Sequence, residues 1–254
     1  MLNYNFFKSQ NDSKQLLVML HGFISDSTTY DSHIEQLSQH VNVLTIDLPG
    51  HGKDTSDMND TWDFPYIAHA LDEVLSQYDM YDVYLLGYSM GGRVALYYAL
   101  NGSVALRGLL LESTSAGIQS EADKVERVQV DAARAKVLEI AGLEIFVNDW
   151  EKLPLFRSQY ELDAEVRKAI RANRMSQNPV RLAKALRDYG TGNMPNLWPH
   201  VSSLSVRTLI LTGEKDEKFV QIGQKLKEEI PNSHTVQVSD VGHTIHVEDS
   251  AEFD

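Results

Sequence analysis

Short apolar runs alternate with amphipathic stretches along most of this chain. Residues 16–20, 41–46, 83–86, 108–111, 208–211 and 235–238 are dense in Val, Leu and Ile. Runs of that length and composition are predicted to be strands buried on both faces of a sheet. Residues 30–39, 62–77, 92–100 and 219–230 instead place apolar side chains at helical spacing. Strand and helix in alternation predict an α/β fold, a mostly parallel sheet flanked by helices. Residues 1–8 are expected to add an edge strand.

The rhythm breaks between Gly117 and Pro195. Residues 124–140, 144–150, 163–173 and 179–189 look helical, with interruptions at Pro154, Pro179 and Pro195, and no strand pattern falls among them. A helical block entered and left between strands predicts a lid, residues 117–195, on a core built from residues 1–116 and 196–254. Charge sets the block apart as well. It holds 13 of the chain's 23 Lys and Arg residues but only 12 of its 36 Asp and Glu residues. Against a net charge of −13, such a lid brings cations to an acidic body and favours an anionic ligand there. A solvated helical face of mixed charge is the plainer alternative.

The same balance narrows the functional classes. A chain this acidic is a poor general nucleic-acid binder, since phosphate neutralisation needs a basic surface. With no cysteine among 254 residues, disulfides, thiolate zinc sites and cysteine nucleophiles are excluded. No apolar run approaches the roughly 18 to 20 residues that span a bilayer. Residues 1–8 lack the basic and apolar regions of a signal peptide. A cytoplasmic protein without membrane insertion is expected, and its oligomeric state is not legible.

The strongest chemical signal is Gly87-Tyr88-Ser89-Met90-Gly91, followed by Gly92 and Arg93. It lies directly between a predicted strand and a predicted helix. A serine on such a turn projects from the top of the sheet, and the glycines admit a strained backbone and close helix packing. The Met90 amide and the helix N-terminus can stabilise a developing oxyanion. This geometry calls for an acid and then a histidine later in the chain. Asp216 follows the run at 208–211 and His243 follows 235–238, both at strand carboxyl ends, where open α/β sheets gather their active sites. Seven of the nine histidines precede the end of the last strand. His243 and His246 are then the candidate bases, and His243, after the turn glycine Gly242, is favoured. Asp240 competes with Asp216 but lies too near His243 in sequence to reach around its ring. A second oxyanion donor is expected at the Phe23 amide, in the loop Leu20-His21-Gly22-Phe23, with His21 bracing that loop. Asp47-Leu48-Pro49-Gly50-His51-Gly52 reads as a scaffold turn.

Together these features resemble the α/β-hydrolase superfamily over nearly the whole chain. Within it, the turn from Gly87 to Arg93 is similar to that of the menaquinone-pathway lyases, the 2-succinyl-6-hydroxy-2,4-cyclohexadiene-1-carboxylate (SHCHC) synthases. Tyr88 and Arg93 carry that likeness beyond the glycines. Leu111-Glu112, Arg127, Asp149-Trp150, Arg174 before Asn178, and Gly213-Glu214-Lys215-Asp216 also fit the family, with Arg171 as the alternative to Arg174. The resemblance implies an α/β-hydrolase fold with the helical lid inserted after the sixth strand, and a Ser89–His243–Asp216 triad. It implies a carbon–oxygen lyase eliminating pyruvate from 2-succinyl-5-enolpyruvyl-6-hydroxy-3-cyclohexene-1-carboxylate, with no metal or organic cofactor. The substrate it implies is a small tricarboxylate held by Arg93, Arg127 and Arg174, with Tyr88 and Trp150 lining the pocket. Arginine's planar fork suits such groups.

Two other functions stay open on the residues. One is a carboxylesterase or C–C bond hydrolase that acylates Ser89; the other is a binding protein that has lost catalysis. An esterase for neutral lipids would want an apolar lid, whereas this lid offers cations. A pure binder has no need of all three triad residues.

Overall fold

The computed structural model describes residues 2–254. Strands β1 (Asn3–Phe7), β2 (Gln15–Leu20), β3 (Asn42–Asp47), β4 (Asp82–Tyr88), β5 (Leu106–Glu112), β6 (Arg207–Gly213) and β7 (Ser233–Val238) form one sheet. Their order is β1-β3-β2-β4-β5-β6-β7. Only β1 is antiparallel, with Asn3 opposite Asp47. The parallel register sets Leu20 beside Gly87 and Tyr88 beside Glu112, so the carboxyl ends of β2, β4 and β5 meet at one edge. The expected strands all form, but β7 is not buried on both faces. It is the last strand of the sheet and pairs with β6 alone, and its residues 234–237 are exposed.

Helices α1 (Asp31–Leu37), α2 (Phe64–Leu75) and α3 (Met90–Asn101) connect the first strands. Helix α2 starts later than apolar spacing predicts, because Asp63 caps it by accepting from the Tyr66 amide at 2.8 Å and Pro65 presets its first turn. Trp62 is left outside as a fully buried anchor, its indole donating to the Asp57 carbonyl at 2.9 Å.

Between β5 and β6 the chain forms α4 (Glu121–Ile140), α5 (Leu143–Trp150), a 3₁₀ segment (Pro154–Glu161), α6 (Ala164–Met175) and α7 (Pro179–Tyr189). This helical insertion follows the fifth strand, not the sixth. The reason is that one antiparallel strand, β1, is all that precedes the parallel run. Ser120 caps α4 on the Asp123 amide, and Asn178 with Pro179 starts α7. The insertion has an apolar cluster of its own, with Ala135 and Leu138 of α4, Phe146 and Val147 of α5, and Leu182 and Leu186 of α7. Ile24 joins it and Phe23 packs against it, which fastens the helices to the loop after β2. Helices α8 (Glu217–Glu229), α9 (Ile245–Glu248) and α10 (Ser250–Phe253) complete the chain. Among the described residues no helix is long and apolar enough to cross a membrane.

Candidate active site

Strand β4 ends at Tyr88 and α3 begins at Met90, so the chain reverses over Ser89 alone. Its backbone has φ +51° and ψ −104°, a left-handed conformation that non-glycine residues seldom adopt. Such strain persists where the surroundings hold it. The Ser89 amide donates to the Glu112 carbonyl at 2.8 Å, and the Ser89 carbonyl accepts from Thr114 Oγ1 at 2.7 Å. Gly91 lets the turn close. A Cβ there would stand 2.3 Å from the Leu20 carbonyl oxygen and 2.5 Å from that of His21. The turn therefore rests on the loop that carries Phe23.

His243 Nδ1 lies 2.6 Å from Asp216 Oδ2, and its Nε2 lies 3.0 Å from Ser89 Oγ. A carboxylate at Nδ1 keeps the proton there and leaves Nε2 to accept from the serine hydroxyl. His243 and Asp216 are both buried. Asp216 occupies the N-cap of α8 yet makes no side-chain bond to the helix amides. Its carboxylate is thus free for the imidazole, at a helix end that favours negative charge. Asp240 is exposed. His246 faces elsewhere: its Nδ1 meets Glu112 Oε1 at 2.8 Å, and its Nε2 meets Thr29 Oγ1 at 3.1 Å.

The turns carrying the acid and the base pack backbone to backbone, since a Cβ on Gly213 would come within 1.9 Å of the Gly242 carbonyl oxygen. Glu248 of α9 clamps the base from behind, accepting from the Gly242 amide at 2.6 Å and the Thr244 amide at 3.2 Å. Sequence reasoning did not single out Glu248. A lone glutamate five residues after a histidine carries no pattern that would reveal it.

The Met90 amide opens α3, in the first turn, where no intrahelical acceptor exists. Phe23 and Met90 border the same cavity as Ser89. His21 braces the loop between them. Its Nδ1 lies 2.7 Å from the Gly22 carbonyl and its Nε2 accepts from the Leu48 amide at 3.0 Å. Burial holds its pKa below the ordinary value, so the ring is neutral.

The cavity above Ser89 measures about 490 Å³ and is bordered by Tyr88, Arg93, Arg127, Trp150 and Phe156 as well. Arg93 Nε and Trp150 Nε1 are buried without a hydrogen-bond partner. Burial first, and then the nearby Arg127, lower the Arg93 guanidinium to about 10. Arg127 Nε donates to Asp131 Oδ1 at 2.9 Å. The Tyr88 hydroxyl lies 2.7 Å from Thr244 Oγ1, and burial raises its pKa well above the ordinary value, so it stays protonated.

Arg174 is not brought to this cavity. It borders a neighbouring one of about 620 Å³, and Tyr88 and Phe156 form part of the wall between the two. Glu151 Oε1 at 3.2 Å and Gln159 Oε1 at 3.0 Å accept from its guanidinium, which lies 4.7 Å from the Phe156 ring. Arg171 is held by the same Glu151, at 2.7 Å. The carboxylate at the end of α5 thus captures two of the three arginines of α6, Arg171 and Arg174. Arg174 reaches Tyr88 only through Gln159 and Thr244, whose side chains are 3.1 Å apart. In its place the cavity contains three cations that sequence reasoning missed: Arg134, Lys218 and Lys225. The spacing of Arg127, Asp131 and Arg134, which puts them on one face of α4, was the available signal for the first.

A strained serine between strand and helix, backed by a buried histidine and aspartate from later strand ends, defines the class. Residues 15–250 match the alpha/beta hydrolase fold family, and the chain belongs to it. Within that family it is 33% identical over 235 residues to the 2-succinyl-6-hydroxy-2,4-cyclohexadiene-1-carboxylate synthase of Salmonella agona (strain SL483), covering 92% of this chain and 89% of that one. The solved structure of MenH from S. aureus is 58% identical with a TM-score of 0.98, covering 100% of this chain and 95% of that one. A thermophilic esterase from Thermogutta terrifontis, solved with malate bound, is 25% identical with a TM-score of 0.85, over 99% and 89% of the two chains. The family resemblance holds across the chain.

Proposed function

We propose that this chain is a carbon–oxygen lyase of menaquinone biosynthesis, eliminating pyruvate from 2-succinyl-5-enolpyruvyl-6-hydroxy-3-cyclohexene-1-carboxylate to give SHCHC. The observation that carries this reading is the cavity above Ser89, which, among the described residues, five cations border and no Asp or Glu side chain does. A tricarboxylate fits that charge; a neutral ester does not use it. Ser89, with His243 accepting its proton and Asp216 holding the ring, removes the ring proton α to the succinyl ketone. The Phe23 and Met90 amides stabilise the resulting enolate oxygen, as they would a tetrahedral oxyanion. The electron pair then moves through the ring alkene, the bond from ring carbon to enolpyruvyl oxygen breaks, and that oxygen leaves as the enol of pyruvate with the proton that His243 returns. Arg93 and Arg127 bind substrate carboxylates, and Tyr88 and Trp150 shape the walls. Residues 117–195 act as a lid over the core of residues 1–116 and 196–254, in the cytoplasm.

The likeness to an esterase favours one competing reading, acyl transfer through Ser89. The enolpyruvyl cyclohexene acid and a simple aryl ester, offered side by side, separate the two. Pyruvate release without a substrate-derived adduct on Ser89 supports the lyase. Fast ester turnover without pyruvate release, or an acyl adduct on Ser89 during turnover, overturns it.

A further inference from the structure

Helix α4 turns two arginines, Arg127 and Arg134, toward the cavity above Ser89 and buries one aspartate, Asp131, behind them. Arg127, Asp131 and Arg134 are four and three residues apart and share one helix face. Asp131 is buried, and both its oxygens are engaged. Oδ1 accepts from Arg127 Nε at 2.9 Å, and Oδ2 accepts from the Gly192 amide at 3.2 Å. Arg134 comes no closer to it than 3.9 Å, too long for a hydrogen bond. Its guanidinium instead lies 5.3 Å from the centroid of the Trp150 ring, and its side chain is 27% exposed. Arg93 completes the group from α3, with its buried Nε unpartnered. Three guanidinium groups therefore border a cavity that no acidic side chain borders among the described residues, with Asp131 buried behind Arg127.

That excess has a physical cost in the free protein. Burial, and then Arg127, press the Arg134 pKa below its ordinary value. Even with Asp131 set against one arginine, two guanidinium charges are left unbalanced beside Lys218 and Lys225, and a ligand with at least two negative charges offsets them. Trp150 contributes a flat surface that fixes the plane of the Arg134 fork, leaving its N–H groups for a carboxylate. Arg174 has no such freedom, being held by Glu151 and Gln159 beyond Phe156.

We propose that Arg134, laid on Trp150, is the third cation of the substrate site, taking one carboxylate of a polycarboxylate while Arg93 and Arg127 take others. This rests on the reading of the cavity above Ser89 as the substrate site. It makes Arg134 a specificity-determining residue and removes Arg174 from direct contact with substrate.

Tricarballylate serves as a tricarboxylate probe and acetate as a monocarboxylate control, with binding followed by calorimetry and by tryptophan fluorescence. Arg134→Gln should weaken tricarballylate binding roughly 10- to 150-fold, the range for losing a charge-assisted hydrogen bond. It should leave acetate binding within about threefold of the parent. Arg134→Lys, which keeps charge and bulk and guards against a folding defect, should recover only part of the loss. With the enolpyruvyl substrate, the loss should fall mainly on KM. Arg174→Gln should leave tricarballylate binding within about threefold. Unchanged tricarballylate binding by Arg134→Gln overturns the proposal, as does an equal loss in Arg174→Gln or a parent that binds tricarballylate no better than acetate. Arg134-dependent binding in a protein that releases no pyruvate supports the proposal and refutes the lyase reading instead.

Discussion

Gly91→Ala tests whether the serine turn and the loop after β2 act as one rigid unit. The added methyl would stand 2.3 Å from the Leu20 carbonyl oxygen and 2.5 Å from that of His21, against an ordinary contact of about 3.5 Å or more. Neither atom is the tip of a flexible side chain. Leu20 is paired in β2 beside Gly87, and His21 is pinned at both ring nitrogens. The strain must therefore move the turn away from the loop by about 1 Å. Overpacking of this kind costs about 3 kcal/mol at the upper end of its usual range. For a chain of this size that lowers the melting temperature by about 6–12 °C. The same shift pulls the Phe23 amide away from Ser89, and a displacement near 1 Å costs about 100-fold in rate. Gly142→Ala is the control. Its φ is +87° with ψ 175°, but nothing lies within 4 Å of the new methyl, so the penalty is backbone strain alone, about 1–3 kcal/mol, with turnover unchanged. Thermal melts and pyruvate release, measured on both variants, decide the matter. Should Gly91→Ala keep parental turnover and melting temperature, the contact between turn and loop does not position the oxyanion donors.

Asp216→Asn should lower turnover by about 10³- to 10⁴-fold with the fold intact, because an amide no longer holds the His243 proton on Nδ1; a mild effect would transfer the role to Asp240. Arg93→Met should weaken substrate handling yet raise the melting temperature at pH 7. A folded-state pKa lowered to about 10 means that the charged guanidinium opposes folding, and the penalty is relieved as pH rises through that value. The stabilising effect of Arg93→Met should therefore shrink above about pH 10, and a melting difference that is absent at pH 7 would contradict the burial argument. His51, lowered to about 3 by burial, is a base that the unfolded chain protonates first. The parent should lose stability as pH falls from about 6.5 toward 3, by up to about 1.4 kcal/mol per pH unit from this group. His51→Gln should flatten that part of the curve, and an unchanged acid slope in urea titrations would rule the contribution out.

Much of this molecule is legible in its sequence because the relevant signals are local. The apolar runs at 16–20 and 83–86 mark β2 and β4, and the turn between β4 and α3 needs Gly91 whatever else the chain does. The order serine, aspartate, histidine follows from strand ends, so Asp216 and His243 were reachable by counting runs. What failed was information that belongs to neither run nor turn. The burial of β7 depends on whether another strand flanks it, and among the described residues none does. The start of α2 depends on Asp63 and Pro65 overriding an apolar spacing that includes Trp62. Insertion after a sixth strand comes from the family resemblance alone; the runs themselves, with the edge strand at 1–8, count to the fifth, as the structure has it.

The lid cations show where local reading stops. Helical spacing puts Arg134 on α4 and stops one residue short of Arg174, which the structure includes in α6, but it does not tell which face of each helix meets the cavity. That choice is made by partners distant in sequence. Glu151 and Gln159 take Arg174, while Asp131 takes Arg127 and leaves Arg134 to Trp150. A count of arginines in the lid therefore predicts a cationic pocket correctly and assigns one of its members to the wrong wall. The distinction has chemical weight, because the serine, histidine and aspartate are equally suited to attacking a carbonyl and to removing a proton from carbon. Which atom of the substrate faces Ser89 is decided by where its carboxylates are held. In the proposed function, Arg93, one helical turn beyond Ser89, would hold the end nearest the reacting carbon, and the lid arginines would fix the direction in which the rest of the molecule lies. On that proposal the core sets the reactivity, and the charge placement in the helical insertion selects the reaction.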